Sequence, residues 1–447
     1  MTNKTQPVLI LLAFLSATFI YAVNLWFSIS GFYMVIITAI LLLVLIFSKK
    51  DSISLKKVDY LYLLAIVFFI FAIFSFTNNV IDINGQLSLA MWVNRFIMFL
   101  APLLGLFYFI QSPTGPILGF IHKKKYLMIL FCSLIIQLTL IRIVRIPEID
   151  VYDVVRWGPI QLLSGKNPYE TPATVKGLPE AQFKYRHFAY GPTAIYLFLP
   201  FDLIFKEPRY LLILANMLTA ICLFIISKKS WQDQKIAELI SLIYLFNPRL
   251  VYFLTFSWTD GLIVSLIALG LLFLLRKNQT VFAICLSLVV GIKIFYALPF
   301  LFFFKNNFLR NFKFVFTGIF TIVIIHLPFL VWNWQAMYKS IVSINTGGEV
   351  FAQLQRFSLT LATFIDRQFV YYPPQFIFPI LVITAAFFFW LTIRQTKNLA
   401  RTLTIVSLVF ITFIFLGPIA NANYYFIGSQ LILLAIALSG GKSLNYE

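Results

Sequence analysis

The chain has 447 residues, 61% of them hydrophobic and 11% charged, with a mean hydropathy of +0.90. A soluble domain is about 45–50% apolar and about a quarter charged, so this balance excludes an ordinary globular enzyme and defines a polytopic membrane protein. The formal net charge of +19 does not mark a nucleic-acid binder, because the basic residues fall in short clusters between apolar runs, the pattern of cytoplasmic loops under the positive-inside rule.

A helix needs about 20 apolar residues to cross about 30 Å of hydrocarbon, and the chain supplies more than ten such runs. A transmembrane β-barrel is excluded, since its strands would alternate in short segments. The 51 Phe and 21 Tyr residues suit helices that face lipid. Cys132, Cys222 and Cys285 each lie inside a hydrophobic run, as small core residues do, and form no disulfide or metal framework. Lys4 precedes a long apolar run without a small-residue cleavage site, which reads as an uncleaved first helix.

In chain order, spans are expected at about 8–27, 29–47, 60–76 and 93–110. Lys49-Lys50, Lys56-Lys57 and Lys123-Lys124-Lys125 put their connections in the cytoplasm and 77–92 outside. Span five, about 126–146, then runs outward into the longest polar interval of the chain, Ile146 to Pro200. The apolar stretch 192–206 is short, carries Pro192, Pro200 and Asp202, and is followed by Lys228, Lys229 and Lys235. It reads as a helix lying along the outer interface. Further spans fall at about 210–227, 236–256 and 261–275. The run 280–304 is interrupted at Gly291, Lys293 and Pro299 and reads as two short helices turning near Lys293. Span 314–332 leads to a second outer loop, 333–375, and spans 376–393, 402–416 and 423–438 close the chain. The expected fold is all-α, a transmembrane helix bundle of about 13–14 spans. Acids gather on its outer side: Asp82, Glu148, Asp150, Asp153, Glu170, Glu180, Asp260, Glu349 and Asp366. Acids contribute little to topology, so that skew points to an outer face with chemical work to do.

Asp150 and Asp153 open the first outer loop. A partly desolvated carboxylate there is suited to general-base chemistry, taking a proton from a sugar hydroxyl as its oxygen attacks an anomeric carbon; the other reading is a pair of acids favoured by a helix N-terminus. Arg142, Arg145 and Arg156 flank them, as phosphate ligands, or with Arg142 and Arg145 snorkelling to the interface or pairing with these acids. Lys293, inside an apolar run, is by default a functional residue, either stabilising charge on a phosphate leaving group or paired with an acid such as Asp260. Asp260 is itself either an N-cap or a substrate contact, and His326 either a satisfied structural residue or a ligand. In the second outer loop Gln353, Arg356 and Ser358 offer another phosphate- or sugar-binding edge, while Tyr371-Tyr372-Pro373-Pro374 suits interfacial anchoring. No Walker loop, zinc-spaced Cys/His cluster or serine nucleophile elbow is present, so neither a metal nor a cofactor is expected.

These residues resemble the GT-C superfamily of polytopic glycosyltransferases, and most of all glycosyltransferase family 87, the polyprenol-phosphate-mannose-dependent mannosyltransferases. The resemblance covers roughly 125–440. It rests on Asp150-Val151-Tyr152, then Gly165-Lys166-Asn167-Pro168-Tyr169, then Phe188-Ala189-Tyr190-Gly191-Pro192, where Gly191 replaces the family's usual Pro. Phe246-Asn247-Pro248, Gly291-Ile292-Lys293 with Pro299, and Arg356-Phe357-Ser358-Leu359 extend it. In the last span the family often carries a His before Tyr; here the sequence reads Asn421-Ala422-Asn423-Tyr424.

The resemblance implies an inverting transferase of the cell envelope. It would move mannose or another hexose or pentose from a polyprenyl-phosphate donor to a lipid-linked or glycan acceptor on the outer side of the cytoplasmic membrane. Asp150 would be the base and Asp153 a second acid. Lys293, Arg356, His326 and Arg145 would meet the donor phosphate, and Tyr152, Tyr190, Asp260 and Gln353 would shape the substrate pocket. Residues 1–122 would form a four-span accessory module and 123–447 the catalytic module, with outer loops at 147–208 and 333–375. The competing readings are a transporter or flippase of lipid-linked saccharides, an oligosaccharide ligase or polymerase, and a scaffold subunit with a dead site. A transporter would more often show repeated halves and broken helices at midplane, and no repeat is evident.

Overall fold

The computed structural model describes residues 7–22, 28–47, 57–78, 89–110, 114–145, 147, 149–174, 185–186, 188–297, 312–343, 358–369, 380, 383–388, 390–391, 398–417 and 420–440. The described residues are overwhelmingly helical. The helices are α1 (Pro7–Ala22), α2 (Ile29–Phe47), α3 (Lys57–Asn78), α4 (Leu89–Gly105), α5 (Pro116–Ile143), α6 (Asp150–Leu163), α7 (Pro192–Phe205), α8 (Arg209–Trp231), α9 (Gln234–Leu245), α10 (Leu250–Thr255), α11 (Asp260–Leu274), α12 (Gln279–Ile292), α13 (Phe312–Tyr338), α14 (Leu361–Phe369), α15 (Leu399–Leu416) and α16 (Ala422–Leu438). Two short strands, β1 (Ala173–Thr174) and β2 (Tyr185–Arg186), pair antiparallel between α6 and α7.

Among the described residues, six helical segments are long and apolar enough to cross a membrane: Ile29–Phe47, Leu89–Tyr108, Pro116–Ile143, Arg209–Trp231, Phe312–Ile341 and Leu399–Leu416. Shorter apolar helices, among them α11, α12 and α16, fill the space between them. The chain is therefore an all-α polytopic membrane protein.

Three boundaries differ from the expectation. Helix α5 begins ten residues before the predicted 126, at Pro116, and carries Lys123, Lys124 and Lys125 inside it; Pro at the first turn is compatible with a helix start, Lys123 and Lys124 are exposed, and the buried Lys125 donates to His122 O at 3.0 Å. The run 236–256 is two helices, because Asn247-Pro248 breaks it between α9 and α10. Pro248 has no N–H and disfavours the helical region for the residue before it. The polar opening 150–163 is one 14-residue helix, α6. The break at Lys293 falls as predicted: α12 ends at Ile292, and a single 3-10 turn, Ile294–Tyr296, follows.

Helices α9, α11, α15 and α16 are buried nearly all round. That is the signature of a bundle centre. Close approach there uses small residues and short hydroxyl bonds, as membrane helices do. A Cβ at Gly428 would stand 2.6 Å from Ile411, and Ser407 Oγ donates 2.8 Å to Gly428 O across the α15–α16 contact. Helices α2 and α13 lie at the rim and expose large apolar side chains, Phe316, Phe320 and Ile324 among them.

The N-terminal helices are knitted into this centre. Helix α1 packs on α16, α2 on α15, and α3 on α9. Tyr21 of α1 is fully buried, and its hydroxyl lies 2.8 Å from Ser429 Oγ and accepts from Asn247 Nδ2 at 2.9 Å. Arg249, just after the Asn-Pro break, donates 3.1 Å to Tyr21 O. The break thus presents Arg249 to the carbonyl end of α1.

Candidate active site

One end of the bundle gathers the C-termini of α5 and α12 and the N-termini of α6, α7, α11 and α16. At its centre is an ion pair. Lys293 Nζ donates to Asp260 Oδ1 at 2.9 Å. Asp260 is the first residue of α11 and fully buried, while the Lys293 side chain is 13% exposed. A carboxylate so placed is stable only when paired and hydrogen-bonded, and the neighbours meet that requirement. Tyr296 Oη accepts from Lys293 Nζ and donates to Asp260 Oδ1, both at 3.3 Å. Asn423 Nδ2 donates to Asp260 Oδ2 at 3.0 Å. The Lys293 ammonium also sits 4.8 Å from the centre of the Tyr424 ring, a cation–π contact. Of the two readings open for Lys293, pairing with Asp260 is realised. Asp260 is not an N-cap: Thr259 holds that position.

The segment between α6 and α7 is joined to this pair by a chain of staples. Gly165 takes a left-handed φ of 70°, and Asn167 Oδ1 accepts from Tyr169 N at 3.0 Å. That Asx turn drives Tyr169 inward, where Phe188 and Phe329 meet its ring edge-on at 5.7 and 5.4 Å. Tyr169 Oη then donates 3.0 Å to the carbonyl of Tyr190. The next residue, Gly191, donates its N–H to Ile292 O at 2.8 Å, one residue before Lys293. The Gly-Lys-Asn-Pro-Tyr motif is therefore a clamp, and its product is the position of Tyr190.

Asp150 is the first residue of α6 and Asp153 lies one turn on, both half-buried. The charge of Asp150 reaches both Tyr190 and Tyr424. Removal from water holds the Tyr190 phenol well above its ordinary range, and the charges of Asp150, Tyr424 and Asp260 push the same way. Tyr190 and Tyr424 are thus within electrostatic reach of both Asp150 and the Asp260–Lys293 pair.

The remaining predicted residues are distributed as follows. His326 is buried in α13, with Nδ1 2.8 Å from Ile322 O; a carbonyl only accepts, so Nδ1 carries the proton and Nε2 of the neutral ring is an acceptor. A Cβ at Gly291 would come 3.5 Å from His326 Cε1 and 2.1 Å from Thr193 Oγ1, which puts the imidazole beside the α7–α12 contact. The Arg145 side chain is exposed. Tyr152 is buried and engaged elsewhere, its hydroxyl donating 3.4 Å to Glu207 Oε2 and its ring 5.0 Å from the Arg209 guanidinium. Gln353 and Arg356 lie outside the described residues. The end of their motif does not: Leu359 N donates 2.8 Å to Ala420 O, and Tyr425 Oη donates 2.6 Å to Leu359 O. That fixes Leu359 beside the start of α16, next to Asn423 and Tyr424.

Four participants, Tyr296, Asn423, Tyr424 and Arg209, carry no assignment from the sequence. Tyr296 follows Lys293 by three residues, a spacing that places two side chains on one face of a turn. Asn423 was noted only as a replacement for a His. Arg209 gave no local signal.

Among the described residues no cluster of three or more His, Cys, Asp or Glu side chains could hold a metal ion. A helical membrane bundle with a buried acid–lysine pair at one end, and an acid-led helix beside it, has the layout of a membrane-embedded group-transfer enzyme. Residues 188–417, just over half of the chain, match the model of glycosyltransferase family 87. The chain belongs to that family, and its activity is glycosyl transfer from a sugar donor to a glycan or lipid acceptor in the membrane. The match contains Tyr190, Asp260, Lys293 and His326 and begins after α6, so Asp150 and Asp153 lie N-terminal to it. No curated protein and no solved structure matches the chain.

Proposed function

We propose that the chain is an inverting transferase that moves a hexose or pentose, mannose foremost, from a polyprenyl-phosphate donor to a lipid- or envelope-linked acceptor on the outer face of the membrane. Asp150 is the general base. Its carboxylate takes the proton of an acceptor hydroxyl as that oxygen bonds to the anomeric carbon. The bond from the anomeric carbon to the phosphate oxygen breaks on the opposite face, and its electron pair leaves on the phosphate. Lys293 meets that developing charge. Two of its three N–H donors go to Asp260 and Tyr296, and the third is available to a phosphate oxygen.

The observation that supports this reading is the convergence at Tyr190 and Tyr424. Asp150 approaches them from α6, and the Asp260–Lys293 pair approaches from α11 and the α12 break. Inversion at a sugar needs both a base and a leaving-group cation, and two aromatic rings near both suit a sugar face. The lysine clusters at the other end of the bundle, Lys123–Lys125 and Lys228-Lys229, support an outer location for this end under the positive-inside rule.

The test is transfer from polyprenyl-phosphate mannose by the full chain in lipid nanodiscs. Asp150→Asn is expected to lower kcat by about 10²–10⁴-fold with the donor KM little changed. Wild-type turnover in the Asn variant would remove the base assignment. Mass spectrometry of co-purified lipid is expected to find a polyprenyl phosphate or its glycoside.

A further inference from the structure

We infer that Arg209 is the positioning residue for the base, holding the turn from α5 into α6 so that Asp150 sits where the reaction needs it; this rests on the reading of Asp150 given above. Arg209 opens α8 and is 1% exposed, the largest fully buried side chain among the described residues. Its guanidinium is used on every edge. Nε donates 2.8 Å to Glu207 Oε1, and Nη2 donates 2.7 Å to Glu207 Oε2, forming a two-pronged ion pair. Nη1 donates 2.7 Å to Val144 O, and Nη2 reaches Arg145 O at 3.3 Å.

Those two carbonyls end α5. Val144 is its C-cap, and the last carbonyls of a helix have no partner within it and carry its negative end. A buried guanidinium satisfies both requirements at once. The same group lies over the ring of Tyr152, 5.0 Å from its centre, and Tyr152 Oη donates 3.4 Å to Glu207 Oε2. Arg209 therefore grips the chain at 144–145 through backbone and at 152 through a side chain. Asp150 lies between those two grips, on the first turn of α6.

Charge alone does not explain the arrangement. A lysine would supply one point charge; the planar fork with five fixed donors is what spans a carboxylate and two carbonyls. Burial of so polar a group at the head of an apolar helix is costly unless its donors are used, and four of the five are. Misplacing a catalytic group by about 1 Å costs about 10²-fold in rate, so the clamp carries rate rather than donor affinity.

The experiment uses the full chain in nanodiscs, polyprenyl-phosphate mannose as donor and octyl α-D-mannoside as acceptor. The variants are Glu207→Gln, Arg209→Lys and Arg209→Met, each made in the wild-type and the Asp150→Asn background. Arg209→Lys is expected to lower kcat by about 10–100-fold while the donor KM moves less than about threefold. Glu207→Gln should lose less than Arg209→Lys, and Arg209→Met more. In the Asp150→Asn background Arg209→Lys should change the residual rate less than about twofold, because the group it positions is already gone. An unchanged kcat in Arg209→Lys overturns the inference. So does an equal fold loss in both backgrounds, which is what a general loss of folded protein produces. Wild-type protein that transfers nothing, or Asp150→Asn protein that keeps the wild-type rate, sinks the reading of Asp150 instead.

Discussion

Gly191 donates its N–H to Ile292 O at 2.8 Å, and a Cβ added to Gly191 would stand 2.2 Å from Gly291 O. Two glycines thus let the end of the first polar interval lie flat against the end of α12. Contact this close between backbones is what a missing side chain permits. It also joins the two sequence features on which the site depends, since Tyr190 precedes the one glycine and Ile292-Lys293 follows the other.

The family pattern has Pro where Gly191 stands, and the Gly191 backbone, at φ −71°, would tolerate a Pro ring. Gly191→Pro is nevertheless expected to fail here. It removes the N–H that Ile292 O accepts, and its Cβ meets a backbone carbonyl that has no rotamer to yield with. Gly191→Ala keeps the N–H and incurs only the clash. We expect Gly191→Pro to destabilise the protein by about 3 kcal/mol or more and Gly191→Ala by about 1–3 kcal/mol. Thermal unfolding in nanodiscs reads both. A Pro variant as stable as wild type would mean that the two glycines are not in contact.

The Asp260–Lys293 pair makes a second prediction, in the ordering of three variants. Lys293→Met leaves a fully buried carboxylate with only Tyr296 and Asn423 to answer it, and breaking a buried pair from one side costs about 3–5 kcal/mol. Adding Asp260→Asn to Lys293→Met removes that orphaned charge and keeps an acceptor for Tyr296 and Asn423. The double variant should therefore melt higher than Lys293→Met alone. Transfer activity should be absent from both, since neither has the cation. If the double variant regained activity, Lys293 would have only a structural role.

How much of this was legible in the sequence follows from the range of the interactions involved. Helices α2, α15 and α16 fall within three residues of their predicted bounds, because continuous apolar runs ended by polar or small residues define a span locally. The break at Lys293 was legible for the same reason, since an ionisable residue in an apolar run demands a partner. The Asn247-Pro248 break carried a local signal, and the hydrophobic run around it obscured that signal. Arg209 could not be read at all. Its carbonyl partners, Val144 and Arg145, stand 65 and 64 residues away in sequence, and no side-chain pattern announces that a backbone carbonyl needs a donor. Gly191 was visible as a departure from Pro, but the N–H that explains it is used only once Ile292 is beside it.

Tyr169 gives a test of the clamp at modest cost. Tyr169→Phe keeps the ring and its edge contacts with Phe188 and Phe329 and deletes one hydrogen bond, to Tyr190 O. Stability should fall by about 1 kcal/mol. Activity should fall further than that stability loss accounts for, through kcat, because Tyr190 is no longer held from its carbonyl side. Equal kcat in wild type and Tyr169→Phe, measured well below the melting temperature of each, would reduce the motif to packing alone.

Asp202 makes the pH dependence of stability specific. It lies on α7, is buried, and neither carboxylate oxygen has a hydrogen-bond partner among the described residues. Burial raises its proton affinity and Glu207 adds to that, against Arg156 and Lys206, leaving the carboxyl pushed up to about 7. The sign follows directly. The folded protein holds this proton more tightly than the unfolded chain, so its contribution to stability is complete below the ordinary carboxylate value near 4. That contribution declines as pH rises and is gone above about 7. Asp202→Asn imitates the neutral acid at every pH. Near pH 4 and below, its melting temperature should match wild type closely. At pH 8 it should melt higher, by a free-energy difference on the order of 1–4 kcal/mol, with the gap opening between about pH 4 and 7. A wild-type melting curve flat across that interval, or an Asn variant less stable at pH 8, would mean that the Asp202 carboxylate is ionised and paired in the folded protein.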